Sequence, residues 1–299
     1  MITNKNIFKI YFLFLFAHLI LWTLIPSLTN VNLPLDTIEA LAWGSDLSWG
    51  NNKHPPLSAF VVEFVFKIFG NQDWVYYFLS QIFVLISFCA IFVLAKEFFK
   101  DVYLAFFSVL LLEGIFFYNY TSPEFNVNIA QLPFWALSAL FSWRCIEKDR
   151  GIDYFFLGLF IGLGILAKYI FLYLVLGIKF LFMYLIIKNK IKSYKFIISG
   201  LVALLVIFPH LIWLLENDFI TLNYGFQRTG GVGSLVDHII FPLTFLFKQI
   251  LILLPFFLLT FFLIKKFKFK KISFDKKNIF IFFICLFPII LMFLTSVIL

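Results

Sequence analysis

Apolar residues run along this chain in long blocks, and most of the Lys, Arg, Asp and Glu fall in the short segments between them. A membrane-crossing helix needs roughly 17 to 25 such residues. The pattern therefore predicts crossings near 7–25, 74–95, 102–118, 127–145, 152–168, 170–187, 196–214, 239–264 and 278–298. The run from Ile152 to Ile187 is too long for one crossing and carries Lys168-Tyr169 near its middle, so it divides there into a helical hairpin. Leu57 to Phe69 is too short to cross; Glu63 and Lys67 stand four apart on it, which predicts an interfacial helix lying along the membrane. The expected fold is an all-α polytopic membrane protein, one transmembrane domain over 1–299 with about nine spans, whose first outer region (26–73) carries interfacial helices.

Composition agrees with this pattern and excludes a soluble domain: 63% of residues are hydrophobic and 13% charged, leaving too little polar surface to face water. With a cytoplasmic N-terminus, 18 of the 24 basic residues fall on the inner side, the positive-inside arrangement. The net charge of +8 is thus a topology signal and implies no nucleic-acid partner. Lys5 and Lys9 before an apolar run resemble a signal peptide, but no small-x-small site follows, so this reads as an uncleaved first span. Cys89, Cys145 and Cys285 show no pairing pattern or metal spacing.

Six basic residues depart from the inner side: Lys53, Lys67, Lys168, Lys179, Arg228 and Lys248. Four of them (Lys53, Lys168, Arg228, Lys248) fall near the outer surface with Asp36, Glu39, His54, Glu124 and His238, which implies a site on the outer face. On a helical turn Asp36 and Glu39 share a face. They serve either as acids complementing a helix dipole or as a general base or metal ligand, and Asp36, just after Pro34, is the better candidate for the second role. Lys53-His54-Pro55-Pro56 has a restricted backbone that would present two cations to a phosphate, or snorkel them to membrane lipids. In the segment 119–128, Pro123 suits a helix start with Glu124 in its first turn, while Asn126 and Asn128 at the bilayer edge need partners, a sugar or metal among them. Lys168 at the hairpin tip either snorkels or pairs with an anion. Arg228, near Tyr224 and before Thr229-Gly230-Gly231-Val232-Gly233, suits a bidentate phosphate grip or plain loop solubility; the glycine spacing is no phosphate-binding fingerprint.

Taken together, Leu35-Asp36-Thr37-Ile38-Glu39-Ala40, Trp43, Trp49-Gly50, Lys53-His54-Pro55-Pro56-Leu57 and Phe69-Gly70 resemble the first periplasmic loop of bacterial glycosyltransferase family 39. These are protein-mannosyltransferase-like and aminoarabinose-transferase-like membrane enzymes with a GT-C fold. Pro123-Glu124-Phe125-Asn126-Val127-Asn128, Gly158 to Lys168-Tyr169, and Tyr224 to Arg228 extend the resemblance over most of the chain. It implies transfer of a sugar, with inversion, from a polyprenyl-phosphate donor to a periplasmic acceptor (lipid A, glycan or protein), in a bacterial inner membrane. It carries a catalytic base or metal-linked role to Asp36. Glu39 is the second carboxylate, although many members place theirs directly after the first, where this chain has Thr37. Lys53 and His54 match the basic position that meets donor phosphate, with Lys168 and Arg228 as further carry-overs. Glu124 and Asn126, and with them Asn128 and Tyr224, fall in the acceptor, sugar or metal vicinity. A divalent metal is compatible with the carboxylates, but no fixed ligand set can be read. Family members usually have more spans and often a soluble C-terminal part, so the expectation includes a minimal or truncated, inactive form. The alternative from another class is a lipid-linked sugar flippase or transporter. It calls for ionisable or broken-helix features near mid-bilayer and for internal repeats, whereas here the charges gather outside and favour the enzyme. A non-catalytic scaffold would tolerate loss of Asp36 and Lys53.

Overall fold

The computed structural model describes residues 4–188, 191, 194–229, 234, 236–264 and 275–298. Among the described residues the regular structure is entirely helical. The glycines at 230, 231 and 233 and the basic cluster between 265 and 274 lie outside them. Five helical segments are long and apolar enough to cross a membrane: Asn6–Thr29, Asp73–Phe99, Tyr169–Ile187, Phe196–Glu216 and Lys276–Ile298.

The chain forms two compact units, the first from residues 1–171 with 194–221 and the second from 172–193 with 222–299. In the first, helix α1 (Asn4–Thr29) runs against α4 (Asp73–Phe99) and α5 (Val102–Leu110). Ile7, Tyr11, Leu15 and His18 recur every three or four residues on α1 and are buried, as are Val84, Phe88, Phe92 and Ala95 on α4. These spacings put each set on one helical stripe, and the Tyr11 and Phe92 rings stack at 4.2 Å where the stripes meet. The opposite face of α1 exposes Phe12, Leu13 and Phe16, as lipid contact requires. Helices α6 (Val127–Lys148), α7 (Gly151–Ala167) and α9 (Phe196–Glu216) continue the layer, α6 on α4 and α7 between α6 and α9.

Between α1 and α4 lie α2 (Leu35–Gly44) and α3 (Leu57–Phe69). The second has the bounds expected for the short segment, delimited by Pro55-Pro56 before it and by Gly70 at φ 71° after it. The two helices pack closely where Gly44 meets α3: a Cβ there would stand 2.7 Å from the Ala59 carbonyl oxygen and 2.8 Å from Glu63 Cβ.

In the second unit, α8 (Leu172–Ile187), α11 (Asp237–Ile252), α12 (Leu254–Ile264), α13 (Lys276–Ile281) and α14 (Phe287–Ile298) follow, together with most of α10 (Ile220–Thr229). The Tyr173 hydroxyl donates to Thr295 Oγ1 at 2.9 Å, and His238 Nδ1 donates to the Val297 carbonyl at 2.7 Å.

Several predicted runs are less regular than their hydropathy suggests. The segment 102–118 is α-helical only to Leu110 and then winds through 3-10 turns at Leu111–Gly114 and Phe116–Tyr118. A carboxylate in an apolar run must find a partner, and here Asn119 Nδ2 donates to both the Glu113 carbonyl and its carboxylate. The expected helix start at Pro123 moves to Val127, because Asn126 in extended conformation accepts from the backbone N–H groups of Asn128 and Ile129 and becomes the N-cap. The run 239–264 breaks at Leu253, just ahead of Pro255. The last crossing carries a π turn at Phe282–Leu286 ahead of Pro288, which lacks the N–H that would bond its fourth predecessor. The break at Lys168 matches the sequence division: its backbone is extended (φ −164°, ψ 136°) and a 3-10 turn follows at Tyr169–Phe171.

Candidate active site

Pro34, at φ −58° and ψ 150°, directs the chain into α2 and leaves Asp36 in its first turn, where a negative charge complements the helix dipole. Glu39 and Trp43 follow at three- and four-residue spacings, so all three side chains share one face. Thr37 occupies the buried side of the same turn and donates Oγ1 to the Phe125 carbonyl at 3.1 Å. This bond hangs α2 from the segment that leads into α6. Beside it the Asp36 backbone N–H donates to Glu124 Oε1 at 3.4 Å, so the first two loops are joined by carboxylate-bearing residues 88 positions apart.

The face of α2 that carries Asp36, Glu39 and Trp43 opens onto a narrow cleft of about 10 Å³, walled also by Ala40, His54, Ser58, Asn126 and Val127. Lys53 Nζ donates to Glu39 Oε1 at 2.6 Å and lies 5.8 Å from the centre of the Trp43 ring. The His54 ring stands edge-on to Trp43 at 5.9 Å. Both groups of this pair are about one-third exposed, 31% for the lysine side chain and 30% for the glutamate, so the ion pair orders the cleft more than it stabilises the fold.

The segment that brings Lys53 and His54 here is pinned from α9. His210 is buried, and its Nδ1 donates to the Trp49 carbonyl at 2.6 Å while Nε2 lies 2.6 Å from the Tyr169 hydroxyl. A carbonyl oxygen only accepts, so Nδ1 carries the proton and a neutral ring takes the tyrosine O–H at Nε2. A Cβ on Gly50 would overlap the Trp213 ring, so the loop approaches α9 only because residue 50 has no side chain. The Thr221 hydroxyl donates to the Asn51 carbonyl, and the Asn51 N–H closes a turn onto the His54 carbonyl at 3.1 Å.

The other expected site residues are distributed as follows. Glu124 adjoins Asp36, and burial together with the Asp36 charge raises its carboxyl above the ordinary carboxylate value. Asn126 lines the cleft while capping α6. Asn128 Oδ1 accepts from Lys168 Nζ at 2.5 Å, which ties the second loop to the break after α7. Tyr224 and Arg228 lie in the second unit, where Arg228 Nη1 donates to the Tyr224 hydroxyl at 3.3 Å, one helical turn back. Among the described residues no group of three His, Cys, Asp or Glu side chains is placed to hold a metal ion.

A buried polar chain escaped the sequence reading. His18 on α1 donates Nδ1 to Glu113 Oε1 at 2.6 Å, its Nε2 lies 3.1 Å from Gln81 Oε1 on α4, and Gln81 Nε2 donates to Ser122 Oγ at 3.1 Å. The chain ends two residues before Glu124. His18, Gln81 and Glu113 each sit in apolar surroundings where an unpaired polar group is expensive, and that expense is the signal that could have matched them.

Residues 53–213, just over half of the chain, match the family model of the dolichyl-phosphate-mannose-protein mannosyltransferases. No curated protein and no solved structure matches.

Proposed function

The chain belongs to the dolichyl-phosphate-mannose-protein mannosyltransferase family, a family of membrane glycosyltransferases of the GT-C type, and on that premise we propose that it moves a sugar, with inversion, from a polyprenyl-phosphate donor to an acceptor hydroxyl. The observation that carries this reading is convergence: Asp36 with Glu39, His54, and Asn126 reach one cleft from three separate segments of chain, and Lys53 pairs with Glu39 on its wall. In a bacterial cell the cleft faces the periplasmic side of the inner membrane, where lipid A, a glycan or a protein supplies the acceptor.

The acceptor oxygen attacks the anomeric carbon as the bond from that carbon to the phosphate oxygen breaks, and the configuration inverts. Asp36 takes the acceptor hydroxyl proton. Its carboxylate is exposed to the cleft, with no hydrogen bond or ion pair to another side chain among the described residues, as a general base requires. Lys53 and His54 meet the negative charge that grows on the leaving phosphate, and Glu39 holds Lys53 in place from 2.6 Å. Lys168, anchored on Asn128, adds a further cation on the segment that follows α7. Asp36 and Glu39 would supply two carboxylates toward a divalent cation, short of a complete set. Tyr224 and Arg228 take no part in these steps.

The test is transfer of label from a radiolabelled polyprenyl-phosphate sugar in membranes carrying wild type or Asp36→Asn at equal expression. Wild type transfers, and the variant loses about 10²-fold or more of the rate. Equal transfer by both would remove Asp36 from the chemistry. Absence of transfer by wild type would favour transport of the lipid-linked sugar over its use.

A further inference from the structure

We propose that a second cavity, at the start of α4, binds the headgroup of a phosphatidylethanolamine-type membrane lipid, a site separate from the cleft and independent of the glycosyltransferase reading. The cavity holds about 260 Å³ and is walled by residues of α2, α3, the first turn of α4 and the segments beside them. All of them belong to the first unit. Asp73 opens α4, and Asp73–Phe99 is long and apolar enough to cross a bilayer, so the cavity lies at the level where that helix leaves the hydrocarbon. Phe64, Ile68 and Phe69 of α3 and Trp74 of α4 are exposed close by in the chain, an apolar surface that water covers poorly and lipid covers well. Lipid therefore reaches this end of the molecule.

The polar groups of the cavity select the ligand. Glu63 and Asp73 bring two carboxylates to its wall, both close enough to the Tyr76 hydroxyl for their charges to act on it. That hydroxyl donates to the Gly70 carbonyl at 3.1 Å, and the Ser45 hydroxyl donates to the Ala42 carbonyl at 2.8 Å. Each oxygen is left with lone pairs to offer. Asn71 is the remaining side-chain donor on the wall, so the ligand that fits best donates hydrogen bonds and carries positive charge. A primary ammonium does both. Leu33, Leu41 and Phe66 make the rest of the wall apolar, which suits a cation carried on carbon better than a hydrated metal ion.

Lys67 gives the lipid phosphate its partner. It stands one turn after Glu63 on α3, its side chain 57% exposed against 10% for the glutamate, and its Nζ is 3.4 Å from Glu63 Oε1. A tight charge-assisted bond is nearer to about 2.8 Å, so the lysine rests loosely outside a buried carboxylate. An ethanolamine headgroup joins its ammonium to the phosphate ester through a short carbon link. The ammonium enters between Glu63 and Asp73 while the phosphate stays with Lys67 at the mouth. An anionic lipid without an amine lacks the first contact, and a choline headgroup lacks the N–H donors.

The experiment measures, by native mass spectrometry of the purified full-length protein, binding of dioleoyl phosphatidylethanolamine, its N-acetyl derivative, and phosphatidylcholine and phosphatidylglycerol of the same chains. Wild type is compared with Glu63→Gln, Asp73→Asn and Glu216→Gln, the last an exposed acid that does not line the cavity. The expected result is a preference of wild type for phosphatidylethanolamine of about tenfold over each other lipid, the size of one charge-assisted hydrogen bond. Glu63→Gln and Asp73→Asn lose most of that preference, and Glu216→Gln keeps it. Equal binding of phosphatidylethanolamine and its N-acetyl derivative by wild type would overturn the proposal, and this comparison stands even where a variant fails to fold. Phosphatidylcholine or phosphatidylglycerol bound as tightly, or a preference that survives both Glu63→Gln and Asp73→Asn, would overturn it too. Dodecylamine bound as tightly as the lipid would leave an amine site and remove the phospholipid from it. Sugar transfer is not read in this assay, so the failure of either reading leaves the other standing.

Discussion

Lys53 Nζ lies 2.6 Å from Glu39 Oε1, and this contact joins a helix to a loop that would otherwise reach the cleft independently. Both partners are partly solvated, so Lys53→Gln will lower stability by only about 0–1 kcal/mol. Loss of a cation from the leaving-group side will lower turnover by roughly 10²-fold or more. Melting curves and single-turnover transfer on the same preparation separate the two effects; a variant that loses both in proportion would make the pair structural.

Glu124 supplies a pH signature. Burial and the Asp36 charge raise its carboxyl in the folded protein, so the native state holds that proton more tightly than the unfolded chain does. Its contribution to stability is present below the ordinary glutamate value and is lost as pH rises through the raised one. Glu124→Gln keeps an acceptor for the Asp36 N–H and removes the repulsion. The variant will match wild type at acidic pH and melt higher near neutrality. A melting series across the carboxylate range checks this, and parallel profiles would refute it.

The chain from His18 through Glu113 and Gln81 predicts non-additive losses. His18→Leu takes one partner from Glu113 and one from Gln81, which keep Asn119 and Ser122, and will cost about 1–3 kcal/mol. Adding Glu113→Leu will cost less than the sum of the two single changes, because both remove the same His18–Glu113 contact. Unfolding of all four proteins in one detergent tests the cycle, and simple additivity would mean that the contact carries no energy.

Gly50→Ala directs a methyl group into the Trp213 ring and will displace the loop that presents Lys53 and His54. Gly70→Ala meets no nearby atom but must hold φ 71° and ψ −151°, a backbone region open essentially to glycine alone; it will cost about 1–3 kcal/mol with transfer preserved. A protease that cuts in 45–56 will cleave Gly50→Ala faster than Gly70→Ala. Equal cleavage would mean that the loop is held elsewhere.

Local grammar explains what was legible beforehand. Leu57–Phe69 carries its own boundaries in Pro55-Pro56 and Gly70, and the shared face of Asp36 and Glu39 follows from helical spacing alone. The Lys168 break announces itself as a lysine within an apolar run. Partners distant in sequence were not legible, since no spacing relates His18 to Glu113 or His210 to Trp49. Asn126 was noticed for the right reason, the expense of an amide at that depth, but its principal partner is the backbone of the helix it caps.

The hold of α9 on the Trp49–Asn51 segment also sets an order of events in biosynthesis. Residues 36–58 leave the ribosome early, yet His210, Trp213 and Thr221, which fasten their loop, emerge more than 150 residues later. The carboxylate helix can settle against Phe125 once α6 has been delivered to the bilayer. Its cationic counterpart must wait for α9, so a nascent chain halted before residue 210 holds half of the cleft in register and the other half untethered.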